Sequence, residues 1–111
     1  MVVEDASGAV LGTAKMGRNQ RGPGSHVATA SFMVSPASRG RGVGRTLGEY
    51  ALVWAANAGF RAMQFNAVVS DNLPAAALWK SLGFEVIGTV PEGFRHDDGR
   101  FADLLIMYRR L

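Results

Sequence analysis

The apolar pattern of this chain changes period across residues 39–45, which read Arg-Gly-Arg-Gly-Val-Gly-Arg. Before them, residues 26–34 (HVATASFMV) alternate and are partly β-branched, as a strand does. After them, Leu47, Tyr50, Ala51, Trp54, Ala55 and Ala58 recur at i, i+3, i+4, i+7, i+8 and i+11, one apolar stripe on a helix. A strand, a glycine turn and a helix in direct succession point to an α/β arrangement. Gly40, Gly42 and Gly44 let the backbone curl without Cβ clashes, so consecutive N–H groups can face one concavity. The helix that opens there adds its free N–H groups and positive dipole end. Arg39, Arg41 and Arg45 can close on phosphate oxygens. The segment therefore predicts a site for a polyphosphate, and a pyrophosphate fits its size. A P-loop would need Lys-Ser or Lys-Thr after the last glycine, where Arg45-Thr46 stands. A dinucleotide fingerprint lacks its third glycine, because Arg45 and Leu47 occupy the places it would take. The alternative is a basic loop that binds nothing.

The rest of the chain extends this pattern in both directions. Residues 1–5 and 9–16 read as a strand pair around the turn Ala6-Ser7-Gly8, and residues 17–24 as a polar loop. Gly59 stops the first helix. Residues 61–69 form the next strand. Asn72 followed by Pro74 starts a second helix, with Ala75, Leu78, Trp79 and Leu82 as its stripe and Gly83 as its stop. Residues 84–90 read as a strand, 91–99 as a polar loop and 101–108 as the last strand. The expected order is β-β-β-α-β-α-β-β in one domain spanning 1–111, with hairpins at the ends and crossover helices between. A length of 111 residues with 48% hydrophobic and 19% charged residues suits a globular fold rather than a disordered chain. No apolar run reaches a membrane span of about 20 residues, and no signal peptide is evident, which leaves the cytoplasm as the default expectation. With no cysteine, disulfides, thiolate metal ligands and cysteine nucleophiles are excluded. Asp97, Asp98 and Asp103 show no metal-ligand spacing, so no metal is expected. Ten of the twelve basic residues are Arg, and the net charge is +3. Nucleic acid is not the expected partner, because Arg39, Arg41 and Arg45 cluster at one turn and a duplex needs a wider basic stripe.

Together these residues resemble the GNAT acyltransferase superfamily. Its first signature is Arg or Gln, two residues, Gly, one residue, then Gly or Ala, between a strand and a helix. Arg39, Gly42 and Gly44 match it, after the strand end Phe32-Met33-Val34 and Ser35-Pro36. Its second signature is matched by Asn72 and then Leu78-Trp79-Lys80-Ser81-Leu82-Gly83-Phe84. The resemblance covers residues 1–108. It implies a mixed, mostly antiparallel sheet whose central strands splay into a V, and acetyl-CoA as the acyl donor. Backbone groups of Phe32, Met33 and Val34 would then pair with the pantetheine arm, with an oxyanion donor near Met33–Val34. Backbone N–H groups of Gly40, Arg41, Gly42, Val43, Gly44 and Arg45 would hold the pyrophosphate, with Arg39 beside them. Asn72 would contact the donor near its thiol end, and Trp79 would lie against it. The implied reaction is direct attack of the amine of a small molecule or amino acid on the thioester. A CoA-binding module without catalysis, or a protein N-terminal acetyltransferase, is the alternative.

Departures from the family pattern carry information as well. Trp79 stands where many members place a Tyr that protonates the leaving thiolate, and an indole is not a useful acid near neutral pH. The strand Phe65-Asn66-Ala67-Val68-Val69 carries no acidic base. A subset that includes fungal enzymes acetylating azetidine-2-carboxylate resembles Phe65-Asn66-Ala67-Val68, Asn72 and Trp79. That likeness implies that Asn66 faces the catalytic centre, so Asn66 and Asn72 are the catalytic candidates. Another substrate-side position of that subset corresponds to Thr29, not Asn, so its substrate is not carried over. His96 is read as a solvated loop residue near the acceptor mouth, His26 as structural, and Glu49 as a solvated helix residue. Members usually begin with a strand and two helices that this chain does not show, which implies an uncovered sheet face and edge and is a reason to expect a homodimer or poor solubility.

Overall fold

Short side chains set how closely the layers of this protein approach. In the computed structural model, Ala28, Ala51, Ala55, Met63 and Met107 have no exposed surface. The structure describes residues 1–111 apart from Asp5, Arg39 and Arg41 and the side chain of Ala37. Its elements are β1 (Val2–Glu4), β2 (Val10–Arg18), β3 (Val27–Val34), α1 (Val43–Asn57), β4 (Ala62–Val69), α2 (Leu73–Ser81), β5 (Glu85–Arg95) and β6 (Phe101–Arg110). This is the order expected from the sequence. Single 3-10 turns at Gly22–Gly24 and Pro36–Ser38 interrupt the loops on either side of β3.

The strands form one sheet in the order β1-β2-β3-β4-β6-β5. Only β3 and β4 run parallel; the other neighbouring pairs are antiparallel. Both helices lie on one face, because Ala51 and Ala55 of α1 and Trp79 of α2 share a core with Ala28, Met63, Phe65 and Met107. Gly12 on β2 brings the start of α1 down onto the sheet. A Cβ there would sit 2.7 Å from Val43 Cγ1 and 3.1 Å from the Met33 carbonyl oxygen. No helix among the described residues is long and apolar enough to cross a membrane.

The parallel pair is in register only at Val27–Ala62 and Ala28–Met63. Beyond those residues β3 stays with β2 and β4 stays with β6. The two halves of the sheet therefore part into the V that the family resemblance implies. A bulge between Phe65 and Val68 of β4 adds to the divergence, because it bends and twists the strand locally.

Three strands outrun the sequence reading, β6 by continuing from residue 108 to Arg110. Gly17 and Arg18, expected in a loop, pair with Thr29 and Ala28, since ladder bonds use the backbone whatever the side chains. Residues 91–95, also expected in a loop, continue β5 through a register shift between Val90 and Phe94. Pro91 is tolerated because β5 is an edge strand and the ladder is interrupted there. Glu92 takes the left-handed turn at φ 52°, and its N–H is held by Asp103 Oδ1 at 2.9 Å.

Candidate functional site

The V encloses a cleft of about 620 Å³. Thr29, Ala30, Ser31, Phe32 and Val34 line it from β3, and Phe65 with the four residues after it lines it from β4. Gly44, Asn72, Ala75, Leu78 and Trp79 close it from the helices. Consecutive residues of both strands take part, and successive side chains point to opposite faces, so the opening carries chemistry from both sides of the sheet.

The backbone polarity of β3 follows from its other neighbour. Ser35 N–H donates to Leu11 O at 2.8 Å, and Asn19 N–H donates to Val27 O at 2.9 Å. Alternation then assigns the odd-numbered residues of β3 to β2 and turns the amides and carbonyls of Ala30, Phe32 and Val34 toward the cleft. Of the expected trio, Phe32 and Val34 present their main chain to the opening. Met33 gives its main chain to β2, and its side chain, 76% exposed, lies outside the lining.

Two helix N-termini converge on the cleft, through Gly44 and through Asn72 and Ala75. Gly40 and Gly42 have φ of 79° and 73°, left-handed values that an L-residue adopts only at a cost. Gly42 is the N-cap of α1, and Thr46 N–H bonds back to its carbonyl at 3.0 Å. The amides of Val43, Gly44 and Arg45 thus have no acceptor within the helix. No acidic residue stands in the first turn of either helix to neutralise the positive ends. Ser38, buried to 1% exposure, anchors the approach to this turn, its Oγ 2.9 Å from Leu11 O and 2.8 Å from Ser35 O. Arg39 and Arg41, expected beside the pyrophosphate, lie outside the described residues. Arg45 directs its side chain along the surface, 3.0 Å from Glu49 Oε1 and 3.0 Å from Ser81 Oγ. Glu49 is therefore paired rather than simply solvated.

Asn72 caps α2, its Oδ1 accepting from Ala75 N–H at 3.3 Å, and lines the cleft. Trp79 is 8% exposed and packs 5.0 Å from Phe32 and 4.8 Å from Phe65, centroid to centroid. The indole thus both packs the core and walls the cleft. Gly48 makes room for it, since a Cβ there would lie 2.7 Å from Trp79 Cζ3. Asn66 sits in the β4 bulge and bonds to Gln64 and Asn19. His96 pairs with Asp71, its Nε2 2.7 Å from Oδ2, and so is not a free loop residue. In the same loop the Arg100 amide, then its guanidinium, hold the Asp98 carboxyl below its usual range. Sequence reasoning missed Asn19, Gln64, Ser38 and Asp71. Only Asp71, next to Asn72 at the mouth of α2, carried a positional signal. Among the described residues no group of three or more His, Asp and Glu is arranged to hold a metal ion.

This geometry has close counterparts among known proteins. Residues 1–84 match the model of the Acetyltransferase (GNAT) family. N-acetyltransferase aca1 of Schizosaccharomyces pombe is 33% identical over 87 residues, which are 78% of this chain and 42% of that protein. A GCN5-related N-acetyltransferase from Kribbella flavida is 57% identical with a TM-score of 0.94, over 99% of this chain and 66% of that one. A GNAT superfamily phosphinothricin acetyltransferase from Sinorhizobium meliloti, solved in complex with AcCoA, is 29% identical with a TM-score of 0.89, over 99% of this chain and 59% of that one. The chain thus spans less than half the length of the curated relative and less than two thirds of either solved one. Sequence match, strand order and the cleft between β3 and β4 agree, and the chain belongs to the GNAT acetyltransferase family.

Proposed function

We propose that this protein transfers an acetyl group from acetyl-CoA to the amine of a small molecule or amino acid. The observation that carries the reading is the cleft at which β3 and β4 part and two helix N-termini with no acidic residue in their first turns meet. When bound, acetyl-CoA supplies the acetyl group as a thioester whose carbonyl carbon an amine nitrogen can attack directly. Amides of Val43, Gly44 and Arg45, with the turn at Gly40 and Gly42, bind the pyrophosphate. Main-chain groups of Phe32 and Val34 hold the pantetheine arm as an added strand, and the Val34 N–H donates to the carbonyl oxygen. Asn72 Nδ2 donates to the sulfur side, Trp79 excludes water from the thioester, and Asn66 meets the acceptor. The lining described above contains no titratable side chain. The acceptor therefore reacts as the neutral amine: its nitrogen bonds to the carbonyl carbon, the C–S bond breaks, CoA leaves as the thiolate, and the proton lost by the nitrogen passes through solvent to that thiolate.

Acetyl-CoA at millimolar concentration should raise the Tm, and ATP or dephospho-CoA should raise it less. No shift with acetyl-CoA would refute the reading. Thiol release from acetyl-CoA, followed over amino acids, polyamines, phosphinothricin and peptide N-termini, should rise above the buffer rate with at least one amine. Binding without release would leave a CoA-binding module instead.

Asn72 permits a separation of stability from transfer. Asn72→Ala removes the cap and should cost about 1 kcal/mol in a urea melt. Asn72→Asp keeps a capping oxygen at the positive end of α2 and should melt like the wild type. It loses the Nδ2 donor, however, and should release thiol at least about ten-fold more slowly. Wild-type rates in Asn72→Asp would remove Asn72 from the reaction.

A further inference from the structure

Gln64, Asn66 and Asn19 form a chain of three side-chain amides that neither the fold nor the donor site requires. Gln64 Nε2 donates to Asn66 Oδ1 at 2.9 Å, and Asn66 Nδ2 donates to Asn19 Oδ1 at 2.6 Å. Gln64 and Asn66 alternate along β4 with Met63 and Phe65, which face the core beneath the helices. The chain therefore lies on the opposite face of the sheet, away from the helix mouths. Asn19 reaches it from just beyond β2, where its own N–H is fastened to the Val27 carbonyl at the closed end of the V.

A carboxamide is a donor at one end and an acceptor at the other, so its neighbours decide which end faces where. In this chain the Asn66 oxygen is taken by Gln64 and one of its N–H groups by Asn19. The second N–H has no partner among the described residues, and Asn66 lines the cleft. Isolated, such an exposed amide would rotate freely and present either end. Joined at both sides, it presents a donor.

We propose that Asn19 and Gln64 are positioning residues for the acceptor half of the cleft. They hold the Asn66 carboxamide so that its second N–H donates to an oxygen of the acceptor substrate. This rests on the acyl-transfer reading given above, and it adds two residues outside the donor site together with the polarity of the group they orient.

That polarity makes the test specific. Asn19→Asp leaves only an acceptor at position 19, which preserves the observed direction of the chain. Gln64→Glu leaves only an acceptor at position 64, which demands the reverse direction. Each variant adds the same single negative charge within one amide of Asn66, so charge alone predicts equal effects. Two readouts are needed. The first is the side-chain NH2 signal of Asn66 in a nitrogen-15 correlation spectrum, assigned by its loss in Asn66→Ala. It should move in Asn19→Ala, return toward its wild-type position in Asn19→Asp, and move again in Gln64→Glu. The second is steady-state transfer to the best amine of the panel. Asn19→Ala and Gln64→Glu should raise the acceptor KM about three- to ten-fold, as expected for one hydrogen bond, with the acetyl-CoA KM unchanged. Asn19→Asp should recover most of that loss. Equal kinetic losses in Asn19→Asp and Gln64→Glu, or an Asn66 signal indifferent to all three substitutions, would overturn the positioning role. If the wild type transfers to no amine, the acyl-transfer reading fails and the acceptor contact fails with it. The spectra then decide separately whether Asn66 is held.

Discussion

Replacing Trp79 with alanine should cost about 3–5 kcal/mol in a urea melt, the largest loss expected from any single truncation in this protein. The indole is 8% exposed and joins Phe32, Phe65 and Phe84 in one aromatic group. Its removal deletes buried area and leaves a void beside Phe32, Phe65 and Phe84, whose rings no longer have a partner there. In a chain of this size the Tm should fall by more than about 10 °C. Trp79→Phe, which keeps a ring against Phe32 and Phe65, should lose far less. A melt of Trp79→Ala within about 1 kcal/mol of wild type would show that the ring is not part of the core.

Gly42→Val should have the opposite signature, with most of the fold retained and the acetyl-CoA response gone. At φ 73° a β-branched residue is strained, at a cost of about 1–3 kcal/mol. A Cβ at this position meets nothing within 4 Å, so the cost resides in the main chain alone. The turn can relieve it only by rotating away from the left-handed region, which re-aims the peptide leading into α1. Differential scanning fluorimetry should show a modest drop in the unliganded Tm and no shift with millimolar acetyl-CoA. A full ligand shift in Gly42→Val would mean that the curl at Gly42 is not used. Arg45→Ala offers a useful contrast. Arg45 already engages Glu49 and Ser81 on the surface, so its truncation should weaken acetyl-CoA binding much less than Gly42→Val does.

The helices were legible because their information is local. The stripe from Leu47 to Ala58, the stop at Gly59 and the cap at Asn72 each lie within a few residues of the structure they produce. The β5 extension was not, because Pro91 looks like a strand terminator until the partner is known. Only the interrupted ladder with β6 and the edge position make it acceptable. For the candidate site the division is similar. The spacing of Gly40, Gly42 and Gly44 led to the expectation of a curled turn there, and Gly40 and Gly42 do take left-handed φ values. The divergence of β3 from β4 was expected from the family resemblance alone, since nothing in Val27-Ala28 or Ala62-Met63 says that pairing will cease there. Asn66 pairs with a residue 47 positions away, beyond any local pattern. His96 met Asp71 across a separation of 25 residues, which is why it read as a solvated side chain.

The short contact between β3 and β4 makes the sheet behave as two blades sharing one small pivot. Two registered residue pairs connect them, while β1-β2-β3 and β4-β6-β5 are each laced internally along their length. Spreading or squeezing the blades breaks no backbone ladder bond away from the pivot, so the gap can widen for a bulky guest and narrow around it, with the Asn66–Asn19 side-chain bond as a tether between them. The restoring force comes from α1, whose Ala51 and Ala55 touch the same core as β3 and β4 and bridge the pivot from above.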